Sequence, residues 1–280
     1  MAGHPNNDTA RVAGDTTVRP DEAQAIHEVQ VATGGVVWSE YAATDVEEAK
    51  RFLCGLFGWQ TRTKHFGMEG SYTTFFIRDG QRMRDVAGLL ALSDLNGPRT
   101  RSAWLPVMRV QSVDQVTAKS CELGASVLAP PSGFAGLDRH AILAGPSGIS
   151  YAVFDARDGH VLRGPGCIRW SELRATDPSK TALFCWQTFG WLAESVRDTD
   201  WSLRVVFMHG GERVLSMCKA GPGEISRCLP CVEVPNLDAA IARAVELGGT
   251  LAERRNDDPI HGHCARVIDT LGEGLMLVAS

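Results

Sequence analysis

Trp38-Ser-Glu-Tyr-Ala-Ala-Thr-Asp45 returns later in the chain as Trp170-Ser-Glu-Leu-Arg-Ala-Thr-Asp177. The match runs on without a gap through Phe52 and Phe184 to Phe57-Gly-Trp59 and Phe189-Gly-Trp191. A second pair of matches follows in the same order. Leu105-Pro106 recurs as Leu229-Pro230, and Val110, Asp114, Ala118 and Glu122-Leu-Gly124 recur as Val234, Asp238, Ala242 and Glu246-Leu-Gly248. Self-similarity at a fixed spacing means one structural unit used twice.

Each copy divides again. Ala49, Phe52, Leu53, Leu56 and Phe57 follow the i, i+3, i+4, i+7, i+8 spacing of an amphipathic helix with one face on a sheet. Asp45 with Glu48 three residues on is a capping-box pattern, and Pro178 after Asp177 suits a first helical turn. Gly58, Gly124, Gly190 and Gly248 stand where helix ends favour a left-handed residue. Short β-rich runs bounded by Gly or Pro follow each helix: 72–78 and 86–92, 141–143 and 149–154, 203–208 and 214–218, 265–268 and 275–278. The pattern is an α+β fold of four βαβββ units in two tandem modules. The expected boundaries are a polar, disordered leader over 1–32, a first module over 33–156, a linker over 157–166 and a second module over 167–280.

The 280-residue chain is 44% hydrophobic and 22% charged, a composition able to bury a core. Its net charge of -5 comes without a basic stripe, so nucleic acid is not an expected partner. No apolar run approaches a membrane span, and no h-region marks a secretory signal. A cytoplasmic protein, monomeric or homodimeric, is expected. Cys54, Cys121, Cys185 and Cys218 fall inside predicted elements, and Cys228-Leu-Pro-Cys231, with no second such pair, reads as the start of a strand.

Paired βαβββ units with Trp-Ser-Glu before the first helix, Phe-Gly-Trp after it, Glu-Leu-Gly after the second and Gly145-Pro-Ser-Gly148 before a last strand resemble the vicinal-oxygen-chelate superfamily of glyoxalases, bleomycin-resistance proteins and dioxygenases. The resemblance spans about residues 34–280. It implies curled mixed sheets around cavities, and in metal-dependent members a divalent ion held by His, Gln or Glu from first and last strands. Here the first-strand positions fall on Trp38 and Trp170, and near Leu105 and Leu229. The last-strand positions fall near Leu89, Ala152, Met217 and Val278. None of these side chains is a metal ligand, so the sequence points to a protein without a metal or other cofactor.

Strand alternation puts Trp38 with Glu40, and Trp170 with Glu172, on one face. A carboxylate against an indole and away from water has a raised pKa and suits general acid/base catalysis. Glu40 and Glu172 are therefore the catalytic candidates; pairing with an arginine such as Arg139 or Arg266 is the structural alternative. Trp38, Trp170, Trp104, His140, Phe76 and His263 are the candidate ligand-binding residues. His261-Gly-His263 offers two imidazoles at i, i+2, which with Glu172 or Asp257-Asp258 would make a noncanonical site for a divalent metal. Pro130–Leu137 is a candidate cover for a cavity mouth.

Two functions follow as expectations. The first is a metal-independent protein that sequesters or transforms a cyclic or aromatic natural-product-type small molecule. The alternative is a metal-dependent lyase, isomerase or dioxygenase using His261, His263 and Glu172. A third reading leaves one module without a cavity, serving to dock the other.

Overall fold

The computed structural model describes residues 25–65, 71–96, 101–133, 139–155, 159–197 and 203–280. Strand β1 (His27–Gln30) precedes the first βαβββ unit, which comprises β2 (Val36–Ala43), α1 (Val46–Phe57), β3 (Gln60–His65), β4 (Ser71–Asp79) and β5 (Arg82–Ala91). The second unit is β6 (Ala103–Arg109), α2 (Val113–Glu122), β7 (Ser126–Gly133), β8 (Arg139–Ala144) and β9 (Ser150–Phe154). After β10 (His160–Arg163) comes the third: β11 (Ile168–Ala175), α3 (Pro178–Phe189), β12 (Leu192–Arg197), β13 (Leu203–His209) and β14 (Glu212–Lys219). The fourth is β15 (Arg227–Val234), α4 (Leu237–Glu246), β16 (Thr250–Asp258), β17 (Gly262–Ile268) and β18 (Gly274–Ala279). The α+β architecture of four repeated units is as the sequence indicates.

Asp45 and Asp177 cap α1 and α3, accepting from the backbone N–H groups of Glu48 and Lys180 at 3.0 Å. Glu48 does not close a capping box: its carboxylate pairs with Arg51 and accepts from Thr270. In α2 and α4 the caps are Ser112 and Asn236, two residues ahead of Asp114 and Asp238. Gly58 and Gly190 end their helices in the left-handed region, at φ 69° and 72°.

Within each unit the first strand runs parallel to the last, Glu40 opposite Gly88 and Glu172 opposite Ser216. Within each pair of units the first strands are antiparallel, so Glu40 also faces Leu105 and Glu172 faces Leu229. A bridge between Cys228 and Trp104 joins the pairs into one sheet.

The helices cover this sheet crosswise. Phe52, Leu53, Trp59 and Phe75 of unit one share a core with Val232, Leu237, Val267 and Leu277 of unit four. Val113, Leu143 and Val153 of unit two share another with Phe184, Trp191, Phe207 and Leu215 of unit three. The repeated Phe-Gly-Trp explains the symmetry. Trp59 donates its indole N–H to the carbonyl of Gly166, just before β11, at 2.8 Å. Trp191 donates its own to Gly34, just before β2, at 2.7 Å. Each tryptophan thus latches the entry of the other half.

The leader and linker differ from expectation. His27–Gln30 pairs with His160–Arg163 as an antiparallel ribbon, so the leader's last residues and the middle of the linker are structured. A four-residue strand whose partner lies so far along the chain carries no local signal. Residues 1–24 of the expected leader lie outside the described residues. Among the described residues no helix is long and apolar enough to cross a membrane.

Because both cores mix the two halves, denaturant-induced loss of tryptophan fluorescence and of far-UV circular dichroism is expected to coincide in one transition. Trp191→Phe, which strands the buried Gly34 carbonyl, should lower stability by about 1–3 kcal/mol and keep the single transition. Two resolved transitions would contradict the cross-packed cores.

Candidate functional site

The inner face of the first pair of units lines a cavity of about 760 Å³, closed in part by β1, β10 and the start of β11. Its walls include Trp38, Glu40, Tyr72, Ile142, Ala152, Phe154 and Trp170. Pairing accounts for this: Trp38 faces Val107, Val107 faces Ala152, Ala152 faces Ile142, and Phe154 faces His140, all on one side of the sheet.

A hydrogen-bonded chain runs along this wall. Trp38 donates its indole N–H to the Tyr72 hydroxyl at 3.1 Å, and that hydroxyl donates to Glu40 Oε1 at 2.9 Å. Gly88 makes the room. A Cβ there would stand 1.9 Å from Tyr72 Oη and 3.0 Å from Trp38 Nε1. Burial pushes the Glu40 carboxyl up to about 7, against the opposing pull of the Tyr72 hydrogen bond. Burial and the nearby Glu40 charge push Tyr72 upward, so it remains a donor. His140 lines the same cavity, and burial lowers its pKa, favouring the neutral ring.

The second pair of units repeats the glutamate in different company. Where β4 presents Tyr72, β13 presents Arg204, whose Nη1 lies 2.7 Å from Glu172 and whose Nη2 lies 3.2 Å from Asp258. Burial, the largest influence, pushes Glu172 up; the His261 ring at 3.6 Å and the Arg204 guanidinium outweigh it and hold the group at about 2. Trp170 donates its N–H to Ser216 Oγ at 2.9 Å. Arg174, Arg255, Arg266, Glu224 and Glu253 extend the ion-pair network. Glu172 is 1% exposed and does not line the cavity. It is an ion-pair anchor, with Arg204 as its partner rather than Arg139 or Arg266, which pair with Asp114 and Glu224.

The other expected site residues divide in the same way. Trp38, Trp170 and His140 line the cavity. Trp104 does not: it faces the helix side, stacked on Tyr41 at 4.7 Å between centroids. Phe76 is buried off the cavity wall, beside a bulge that shifts the register of β4 on β5. His263 is exposed while His261 is buried, so the two rings share no ion. Gly262, at φ 67°, turns the chain between them, and the alternation of a strand does not apply. Ser132 of the expected cover segment reaches the cavity, as does Ala129 just ahead of it; residues 134–137 lie outside the described residues. Tyr72, Gly88 and Arg204 were not singled out from the sequence. Reading β4 against β13 beside the repeated glutamates was the one available signal.

The chain's donor set does not fit the metal of the fold's metal-dependent members. Register places Leu89 and Met217 in the helix-side cores, leaving Gly88 and Ser216 as the inward last-strand positions. With Trp38, Trp170, Leu105, Leu229, Ala152 and Val278 at the others, only the Ser216 hydroxyl carries a lone pair, and it accepts from Trp170. Among the described residues no group of three His, Cys, Asp or Glu side chains could hold an ion. Beside Glu172 the cation is already the Arg204 guanidinium.

Comparison with known proteins agrees with this architecture. The chain matches over 88% of its length a Mn(II)-bound glyoxalase from Novosphingobium aromaticivorans, with TM-score 0.60, 14% identity and 82% of that chain covered. It matches over 89% of its length the 2,3-dioxygenase LapB from Pseudomonas sp. KL28, with TM-score 0.59, 11% identity and 94% of that chain covered. This chain has the vicinal-oxygen-chelate fold. In sequence it is 27% identical over 267 residues to the anthracycline biosynthesis protein DauV of Streptomyces sp. (strain C5), covering 88% of this chain and 94% of that protein. No family model matches the sequence.

Two outcomes follow. Glu40, titrating near 7 when folded and near 4.5 when unfolded, is most compatible with the fold below pH 4.5; that stability is lost as pH rises through 7. Denaturant midpoints of Glu40→Gln and wild type should therefore diverge between pH 5 and pH 8, the variant gaining on the order of 3 kcal/mol at most. In the second half, Arg204→Met takes from the buried Glu172 its nearest cation and leaves Asp258 to Arg255 alone, and should cost about 3–5 kcal/mol by denaturant melting.

Proposed function

We propose that the first-module cavity binds a planar, cyclic or aromatic small molecule of the natural-product kind, and that Glu40 exchanges a proton with it. The observation that carries this reading is the Trp38–Tyr72–Glu40 chain on the wall of a 760 Å³ cavity. Indoles and Phe154 supply flat apolar faces for stacking, and a cavity of this size suits a small organic ligand. A carboxyl with a pKa near 7 serves as base and as acid at neutral pH. Deprotonated, it takes a proton from an acidic C–H or O–H of the ligand while Tyr72 donates a hydrogen bond to it; neutral, it returns a proton to another atom. Such a proton shuttle isomerises the ligand and consumes no oxidant. The likeness to an anthracycline biosynthesis protein supports a polycyclic aromatic ketone as the substrate class.

The metal-dependent alternative draws on the glyoxalase and dioxygenase neighbours, and the donor set argues against it. In our reading the protein works without a metal.

Incubation with a polycyclic aromatic ketone in D2O tests the proposal by mass spectrometry. Deuterium uptake at the acidic position is expected to rise with pH through about 7 and to survive chelator treatment. Glu40→Gln should slow it on the order of 10²–10⁴-fold. Tyr72→Phe removes a donor to the carboxylate and should shift the pH midpoint upward. Exchange unchanged in Glu40→Gln, or abolished by chelation and restored by a divalent ion, would defeat the reading.

A further inference from the structure

Two of the arginines that line the same cavity are used neither by the proton shuttle nor by an ion pair among the described residues. Arg163, the last residue of β10, and Arg169, the second residue of β11, both line it. Among the described residues neither forms an ion pair, although most arginines lining or flanking the two interiors do: Arg62 with Asp85, Arg84 with Glu28, and Arg174 and Arg266 with Glu224. Among the described residues the side chain of Arg163 hydrogen-bonds only the carbonyls of Leu162 and Ile168, at 3.3 and 3.4 Å, long for hydrogen bonds. Glu233 lends it a favourable field from beyond ion-pair distance. Burial first and Arg169 second disfavour its charge. A guanidinium does not relieve this by losing its proton, and it presents five donors in a planar fork.

The repeat shows that the pair is not a requirement of the fold. Arg169-Trp170-Ser-Glu corresponds to Val37-Trp38-Ser-Glu, and Arg163 corresponds by the same spacing to Val31. The arginines stand only at the junction between the halves, where β10 and β11 close the cavity of the first.

We propose that Arg163 and Arg169 form an anion-recognition site inside the cavity, and that the natural ligand carries a carboxylate or similarly forked anionic group beside its planar ring system. This rests on the cavity reading given under Proposed function and adds the ligand's charge. The paired forks match two oxygens, and the anion offsets the repulsion between the guanidinium groups. The anion also orients the ligand, fixing which ring atom meets Glu40.

An anthraquinone carboxylate and its neutral carboxamide, titrated by tryptophan fluorescence, test it. The wild type should bind the carboxylate on the order of tenfold or more tightly than the carboxamide, with the difference shrinking at high salt. In Arg163→Gln/Arg169→Gln the difference should vanish while carboxamide affinity is retained, which also shows that the variant folds. Arg169→Lys, which keeps the charge, should retain part of it. Equal affinities in the wild type, or a difference unaltered in the double variant, would overturn the proposal. Thermal stabilisation by inorganic phosphate reads the arginines apart from ring recognition. If neither anthraquinone binds, stabilisation present in wild type and absent in the double variant still upholds the anion site while the aromatic reading falls. Its absence overturns both.

Discussion

The two indole-to-carbonyl hydrogen bonds, Trp59 to Gly166 and Trp191 to Gly34, hold the rest of the molecule in place. Each tryptophan follows the helix of one half and fastens the strand entry of the other, and its ring sits in the core that the halves share. An apolar helix stripe must be covered, and here the covering elements come from the opposite half. The helix-side faces of all four units are thereby committed to stability. The inner faces carry smaller apolar clusters beside the repeated glutamates, and it is there that the two halves differ.

The divergence turns on one neighbour of a repeated glutamate. Tyr72 gives Glu40 a neutral donor, and burial then dominates, bringing its titration to about 7. Glu172 meets the His261 ring at 3.6 Å and the Arg204 cation at 2.7 Å, and together they outweigh burial and hold it at about 2. Around Arg204 a further set of arginines and carboxylates occupies the second interior. Such a network is costly to desolvate and worse to break, so it acts as structure. The first interior, without that network, is open enough for a ligand. One half keeps an open cavity beside its glutamate, and the other fills that place with paired charges.

This difference sets the limit of what the sequence discloses. The repeated Trp-Ser-Glu and Phe-Gly-Trp, the helix stripes and the capping aspartates are local patterns, and they announce four units, two modules and an inward Trp38 and Glu40. Tyr72 and Gly88 act on Glu40 through strand pairing, which composition along β4 and β5 does not specify. The bulge between Phe75 and Phe76 shifts which aromatic faces where, and so Phe76 misleads. The ribbon of β1 on β10 joins segments with no pattern of their own. His261 and His263 illustrate the opposite error: a motif persuasive as a strand loses its meaning once Gly262 turns the backbone between them.

Trp38 stands where the fold's metal-dependent members carry a ligand, and the exchange is more than the loss of a lone pair. An imidazole or carboxylate there points an acceptor at the cavity; an indole points a donor. Tyr72 accepts from Trp38 so that its own proton is directed at Glu40. Gly88, opposite Glu40 on the last strand, completes the exchange by contributing space, since any side chain there would displace the Tyr72 hydroxyl. The two first-unit positions together give an oriented hydrogen-bonded chain that ends on Glu40. That coupling explains why neither change is intelligible alone: an indole beside a larger last-strand residue would have no hydroxyl to hold, and a glycine beside an imidazole would leave a void.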